Sequence, residues 1–157
     1  MKTIILGKRS YLSNKLNQKI VSSQLFNINE FKDFYKTNKK KFNLIINHFY
    51  PSSKISYIES YGNFFEISIK DLSLILDNTN PRYINKIIYT SSASIYGSVN
   101  EYNFLPDSNN RLLYSSTKIL NEILLNNYCQ KNKIQLIISR VFNMYGPNEN
   151  FSIIHKI

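Results

Sequence analysis

Short apolar, partly β-branched runs alternate along this chain with longer segments in which apolar residues recur at helical spacing. The first run, Thr3 to Leu6, stops at Gly7, and a helical pattern follows from about Tyr11 to Gln18, which reads as strand, glycine turn, helix. Lys19 to Ser22 reads as a second strand and Phe31 to about Thr37 as a short helix. Phe42 to Ile46 is a third strand, whose unbroken Leu44-Ile45-Ile46 is what a strand covered on both faces requires. Ile55 to Asn78 is mostly helical, with Phe65, Ile69, Leu72 and Leu76 at helical spacing, and ends at Asn78-Thr79-Asn80-Pro81. Lys86 to Ser91 is a fourth strand, Glu101 to Arg111 a polar loop, Tyr114 to about Lys131 a helix, Ile134 to Val141 a fifth strand and Ser152 to Ile157 a further helix. Strands alternating with helices predict right-handed crossovers and an α/β fold with a doubly wound, mostly parallel sheet. No internal repeat, low-complexity tract or linker interrupts the pattern, so residues 1–157 read as one domain.

Composition narrows the picture only slightly. Hydrophobic residues make up 43% of the 157, which is a folding rather than a disordered composition. No apolar run is long enough to span a bilayer, and the N-terminal run stops at Gly7-Lys8-Arg9, too soon for a signal-peptide core. A cytoplasmic protein is therefore the default expectation. The single cysteine, Cys129, excludes an internal disulfide and a multi-cysteine metal site. The formal net charge of +10 would attract polyanions, but no zinc-finger or RNA-recognition signature accompanies it. It reads as a Lys/Asn/Ile-rich bias with solvated lysines, densest at Lys39-Lys40-Lys41, and no nucleic-acid or membrane partner is expected.

Candidate chemistry centres on Tyr114-Ser115-Ser116-Thr117-Lys118. Residues four apart on a helix share a face, so the Tyr114 phenol and the Lys118 ammonium can meet. A nearby cation favours the phenolate, and a tyrosine tuned this way can serve as a general acid or base. Upstream, the fourth strand runs into Thr90-Ser91-Ser92-Ala93-Ser94-Ile95-Tyr96-Gly97. The carboxyl edge of a parallel sheet is where ligands bind, so a Ser92 hydroxyl there can hold a substrate alcohol or carbonyl. The first turn, Gly7-Lys8-Arg9-Ser10-Tyr11-Leu12-Ser13, has small residues at the spacing of a dinucleotide loop, although serines stand at two of the three glycine positions. Taken alone, that turn does not separate a cofactor loop from any other βα turn. The second strand, read as ending at Val21-Ser22-Ser23, carries no carboxylate for ribose hydroxyls; Glu30 and Asp33 lie further on. His48 reads as structural, His155 has no visible partner, and no metal site is expected.

Strand-Thr-Ser-Ser-x-x-Ile-Tyr-Gly, then Tyr-x-x-x-Lys, then Arg140-Val141-Phe142-Asn143-Met144-Tyr145-Gly146-Pro147 resembles the extended short-chain dehydrogenase/reductase superfamily. Within it, the NAD-dependent epimerase/dehydratase family acting on nucleotide sugars is the branch it looks like, over Thr3 to Ile157. The resemblance implies a Rossmann-type domain binding NAD, with NADP not excluded, and a nucleotide-sugar substrate. It implies Tyr114 as general base or acid, Lys118 lowering the tyrosine pKa and binding the nicotinamide ribose, and Ser92 holding the reacting oxygen. It also implies Gly7, Ser10, Tyr11 and Leu12 in the cofactor loop, Phe142 beside the nicotinamide and Asn143 on the substrate side. Sugar 4,6-dehydratases of this family carry an Asp-Glu pair after the catalytic hydroxyl. Ala93 and Ser94 stand there, so an epimerase or reductase is the expectation.

Three departures set the alternative, the first being Ser10 and Ser13 in place of two loop glycines. His48-Phe49-Tyr50 follows the third strand where the family usually has alanines against the cofactor. Family members are also longer, so the sequence reads as truncated before the C-terminal substrate lobe. The alternative function is accordingly a catalytically inactive Rossmann domain acting as a binding or interaction module, and a homo-oligomer or a partner chain supplying the missing lobe is a further expectation.

Overall fold

A computed structural model describes residues 1–97 and 109–146. Its five strands are β1 (Lys2–Leu6), β2 (Ser23–Phe26), β3 (Phe42–Ile46), β4 (Ile84–Ser92) and β5 (Gln135–Val141). All pair in parallel, in the order β2-β1-β3-β4-β5. The helices are α1 (Tyr11–Lys19), α2 (Ile28–Thr37), α3 (Tyr61–Phe65), α4 (Asp71–Asn78) and α5 (Asn109–Asn132), with a π-helical turn at Glu66–Lys70 joining α3 to α4. Chain direction across the sheet reverses between β1 and β3, and in open α/β sheets the crevice at such a switch point is the ligand site.

The core follows from the strand composition. Ile4, Leu6, Leu44, Ile46 and Ile87 are nearly solvent-free and form one cluster with Leu72, Ile75 and Leu76 of α4 and Leu125 of α5. Helix α2 starts on a capping box: Asn27 Oδ1 accepts from Glu30 N at 2.9 Å, and Asn27 N donates to Glu30 Oε2 at 2.8 Å. It crosses from β2 to β3 and packs Phe31 and Phe34 edge-on against Phe42.

Several expectations are corrected here. Lys19 to Ser22 is not the second strand. Helix α1 continues to Lys19, Ser22 turns with φ 62°, and β2 begins at Ser23. The strand therefore ends at Phe26-Asn27 rather than at Val21-Ser22-Ser23. The helical pattern expected from Ile55 begins only at Tyr61, after a 3₁₀ turn at Ser52–Lys54. The π-helical turn accommodates one more residue than an α turn and shifts the buried phase. Phe64 and Ser68 are buried where Phe65 and Ile69 were expected, while Phe65 is exposed. Helix α5 starts at Asn109, so Tyr114 stands more than one turn inside it. The polar loop expected from Glu101 to Arg111 is corrected at its end, since Asn109 to Arg111 belong to α5; its earlier residues, the helix expected from Ser152, His155 and Pro147 lie outside the described residues.

Candidate functional site

The carboxyl ends of β1, β3 and β4 and the N-terminal half of α5 bring most of the expected residues together. Gly7 follows β1 with φ 106°, a left-handed conformation that favours glycine. Ser10 is the N-cap of α1 at φ −76° and ψ 137°, ordinary extended backbone, so this loop position makes no demand for glycine. Ser10 makes no side-chain cap hydrogen bond, so the first N–H groups of α1 retain their capacity for an anion.

Asn47, the residue after β3, organises this corner, and sequence reasoning missed it. Its Nδ2 donates to Ser10 Oγ and to Ser13 Oγ, both at 2.8 Å. Its Oδ1 lies 2.6 Å from Thr90 Oγ1, which also lies 3.0 Å from Ile46 O, so one hydroxyl proton is shared between two acceptors. The two serines that replace glycines are thus held to β3 and β4 by one amide. The only signal in the sequence is position: an amide at a strand's carboxyl end facing a turn with two hydroxyls. Asn47→Ala should lower stability by about 2–3 kcal/mol, because the fully buried Ser13 hydroxyl loses its donor. Urea unfolding measures this, and a loss below about 0.5 kcal/mol, the floor for one net hydrogen bond, would show that the network does not couple the strands.

Lys118 is buried, with 4% relative exposure. Its Nζ donates to Thr90 O at 2.8 Å and lies 3.9 Å from the Phe49 ring centroid and 5.0 Å from that of Tyr89. The Tyr114 ring centroid is 5.8 Å away. Burial pushes the ammonium down to about 7, with the Glu122 carboxylate one turn along α5 working against the shift. Burial pushes the Tyr114 phenol up to about 12, against a hydrogen bond with Ser92. The cation is turned to Thr90 O and lies against the Phe49 ring, and burial is the larger cause acting on the phenol.

Ser92 ends β4, and its Oγ accepts from Ser94 N at 3.2 Å and from Ser94 Oγ at 2.9 Å. Ser115 Oγ lies 3.1 Å from Ser94 O, which ties the turn at residues 93–96 to α5 beside Tyr114. Arg140 on β5 makes a bidentate pair with Glu122, at 3.2 and 2.8 Å, and donates from its third nitrogen to Tyr96 Oη at 3.0 Å. Phe142 stacks on Tyr96 at the exposed rim, with centroids 6.4 Å apart. Asn143 is exposed beyond it. Tyr11 reaches the same segment, since a Cβ at Gly146 would stand 2.7 Å from its hydroxyl. Leu12 is half-buried in the first turn of α1. The neutral Asn27 stands at the end of β2, and Lys8 in the first turn pairs with Glu30 at 2.6 Å. His48 has a partner, Asp71 Oδ2 at 2.7 Å from Nε2. No cluster of three or more metal-ligating side chains occurs among the described residues. No helix among them is long and apolar enough to cross a membrane.

The model of the NAD dependent epimerase/dehydratase family matches residues 2–157. The chain belongs to that family. Human dTDP-D-glucose 4,6-dehydratase is 23% identical to it over 142 residues, covering 88% of this chain and 39% of the human protein. The chain thus spans about two fifths of the length of that curated relative. UDP-glucose 4-epimerase from Thermus thermophilus, in complex with NAD, superposes with a TM-score of 0.73 at 16% identity, over 96% of this chain and 58% of the epimerase. RMD from Pseudomonas aeruginosa, complexed with NADPH, gives 0.69 at 15% identity, over 94% and 57%. These structures share the fold: a parallel, Rossmann-like sheet flanked by helices.

Proposed function

We propose that this family member supplies the dinucleotide-binding part of a nucleotide-sugar epimerase or reductase, with NAD or NADP as hydride carrier and Ser92, Tyr114 and Lys118 as its reacting groups. The observation that carries this reading is their juxtaposition. One helix presents Tyr114 and Lys118, and the strand beside it ends in Ser92, whose hydroxyl works against the upward shift of the Tyr114 phenol. The pyrophosphate end of the site fits a dinucleotide. Gly7 lets Asn47 close on the first turn, and the uncapped N-terminus of α1 offers amide protons. Ser10, half-buried, accepts from Asn47 and keeps its own hydroxyl proton for another acceptor.

When bound, the nicotinamide supplies the hydride exchange. The chain's part is orientation and proton transfer. Ser92 holds the reacting sugar oxygen, Tyr114 passes its proton, and Lys118 binds the ribose once it is freed from its cover. At neutral pH the phenol, pushed up to about 12, retains its proton, so the resting geometry is set to donate one. Gly7, Ser10, Tyr11 and Leu12 line the cofactor loop, with Phe142 toward the nicotinamide and Asn143 toward the sugar. Ala93 and Ser94 provide no carboxylate pair, so eliminating water has no evident acid and base on this chain. This argues for an epimerase or reductase, although the human relative is a dehydratase. The neutral Asn27, with Glu30 turned to Lys8, leaves the ribose end of the adenosine open to either dinucleotide.

The test is melting of the purified chain against NAD and NADP titrated separately. A ligand that binds only the folded state adds about 2.7 kcal/mol at a hundredfold excess over its dissociation constant. A shift with one dinucleotide, reduced in Lys118→Ala and retained in Tyr114→Phe, is the expected result. No shift with either at millimolar concentration would replace this reading with that of a binding module without turnover. The aromatic cover on Lys118 is the observation that favours that second reading.

A further inference from the structure

The nicotinamide end does not fit as the pyrophosphate end does. Of the groups around the Lys118 ammonium, Thr90 O and the Tyr89 ring belong to the sheet floor, and Tyr114 and Glu122 belong to its own helix. Phe49 is the further neighbour among the described residues. Its ring stands 3.9 Å from Nζ and packs edge-on against Tyr114, with centroids 5.1 Å apart. Lys118 is almost fully buried and Phe49 only half-buried, so among the described residues the ring is the part of the ammonium's surroundings that reaches toward the surface.

We propose that Phe49 is the residue that determines ligand entry: its ring fills the place beside Lys118 and Tyr114 that a dinucleotide's nicotinamide ribose needs, so binding requires the ring to rotate out. This rests on the functional reading above. The surrounding backbone leaves few other ways to open the site. Asn47 on one side is tied to Ser10, Ser13 and Thr90. On the other side Tyr50 is buried and packs on Phe64 at 5.2 Å. Between them His48 is held by Asp71 at 2.7 Å. With both flanks anchored, the movement falls to the Phe49 side chain rather than to a lifting loop. Affinity is then reduced by the fraction of molecules whose ring is already out.

Two readouts test this on the intact chain. The first is the dissociation constant for NAD and for NADP in the parent, Phe49→Ala and Phe49→Leu. The second, independent of any cofactor, is the rate of reductive methylation at Lys118 by formaldehyde, mapped by mass spectrometry with exposed Lys8 as internal control. With an open fraction of about 1–10%, Phe49→Ala should tighten the preferred dinucleotide about 10- to 100-fold. Lys118 methylation should rise at least as much while Lys8 stays constant. Phe49→Leu fills the core and removes the ring's hold on the ammonium, so it should fall between the two and serves if Phe49→Ala fails to fold. Equal affinities in all three chains would overturn the proposal and leave the functional reading intact. Faster methylation at Lys118 with no binding of either dinucleotide by any variant would overturn the functional reading, and the ribose assignment with it.

Discussion

Gly7→Ala should destabilise the chain by about 3 kcal/mol, lowering the melting temperature by about 10 °C. Two costs combine. The backbone at Gly7 has φ 106°, where a side chain is strained. A Cβ there would also stand 2.3 Å from Asn47 O and 2.8 Å from Asn47 C, both backbone atoms. Asn47 has no room to retreat, because its N–H donates to Leu6 O at 3.0 Å and its amide is engaged by three hydroxyls. Gly97 supplies the internal comparison. It has φ 78°, but a Cβ there meets nothing within 4 Å among the described residues. Gly97→Ala should cost only the dihedral term, about 1 kcal/mol. Equal losses in the two variants would show that the approach of β3 to the first turn is not what requires glycine.

Lys118→Met should stabilise the chain at pH 6 by a few kcal/mol, on the order of the shift in the lysine's titration, and by little near pH 10. The folded ammonium is pushed down to about 7 by burial, whereas an unfolded lysine titrates near 10.4. Between those values the unfolded chain binds a proton that the folded chain does not. Stability of the parent therefore rises with pH across that window, and below about 7 the cost of burying the cation is borne in full. Above about 10 the Tyr114 phenol, pushed up to about 12, reverses the slope, because unfolded tyrosine ionises first. Urea unfolding at pH 6, 8 and 9.5 reads the difference. A parent and a Lys118→Met chain with the same pH slope would place the slope on other groups. The stabilised variant should also lose dinucleotide affinity, since the group that destabilises the fold is the one proposed to hold the ribose.

Much of this architecture was legible in the residue pattern. The continuous apolar run of β3 and the turn at Gly7 gave their elements directly, because burial on both faces and positive φ leave few alternatives. The second strand was misplaced because its Ser23-Gln24-Leu25-Phe26 is half-exposed and polar, while Ile20-Val21 ahead of it imitates a strand. The phase of residues 61–70 was misread because an α-helical period was imposed across a π-helical turn. Motif spacing put Tyr114 and Lys118 on one helix and Ser92 at a strand end, as the structure does, but said nothing of their electrostatics. Spacing on a helix says that two side chains can meet; it does not say that a third, Phe49, packs against both. Asn47 escaped notice because its importance lies in contacts 34 to 43 residues away in sequence.

The tie between Asn47, Ser10 and Ser13 has a historical consequence. Returning Ser13 to the glycine of the common loop pattern would leave an amide proton of Asn47 without its buried acceptor. Replacing Asn47 first would leave the Ser13 hydroxyl buried without a donor. Each single step back is penalised although the destination is an ordinary loop, so these positions form an epistatic ratchet. Changes at Asn47, Ser10 and Ser13 should therefore be non-additive, the combined replacement costing less than the sum of the single ones.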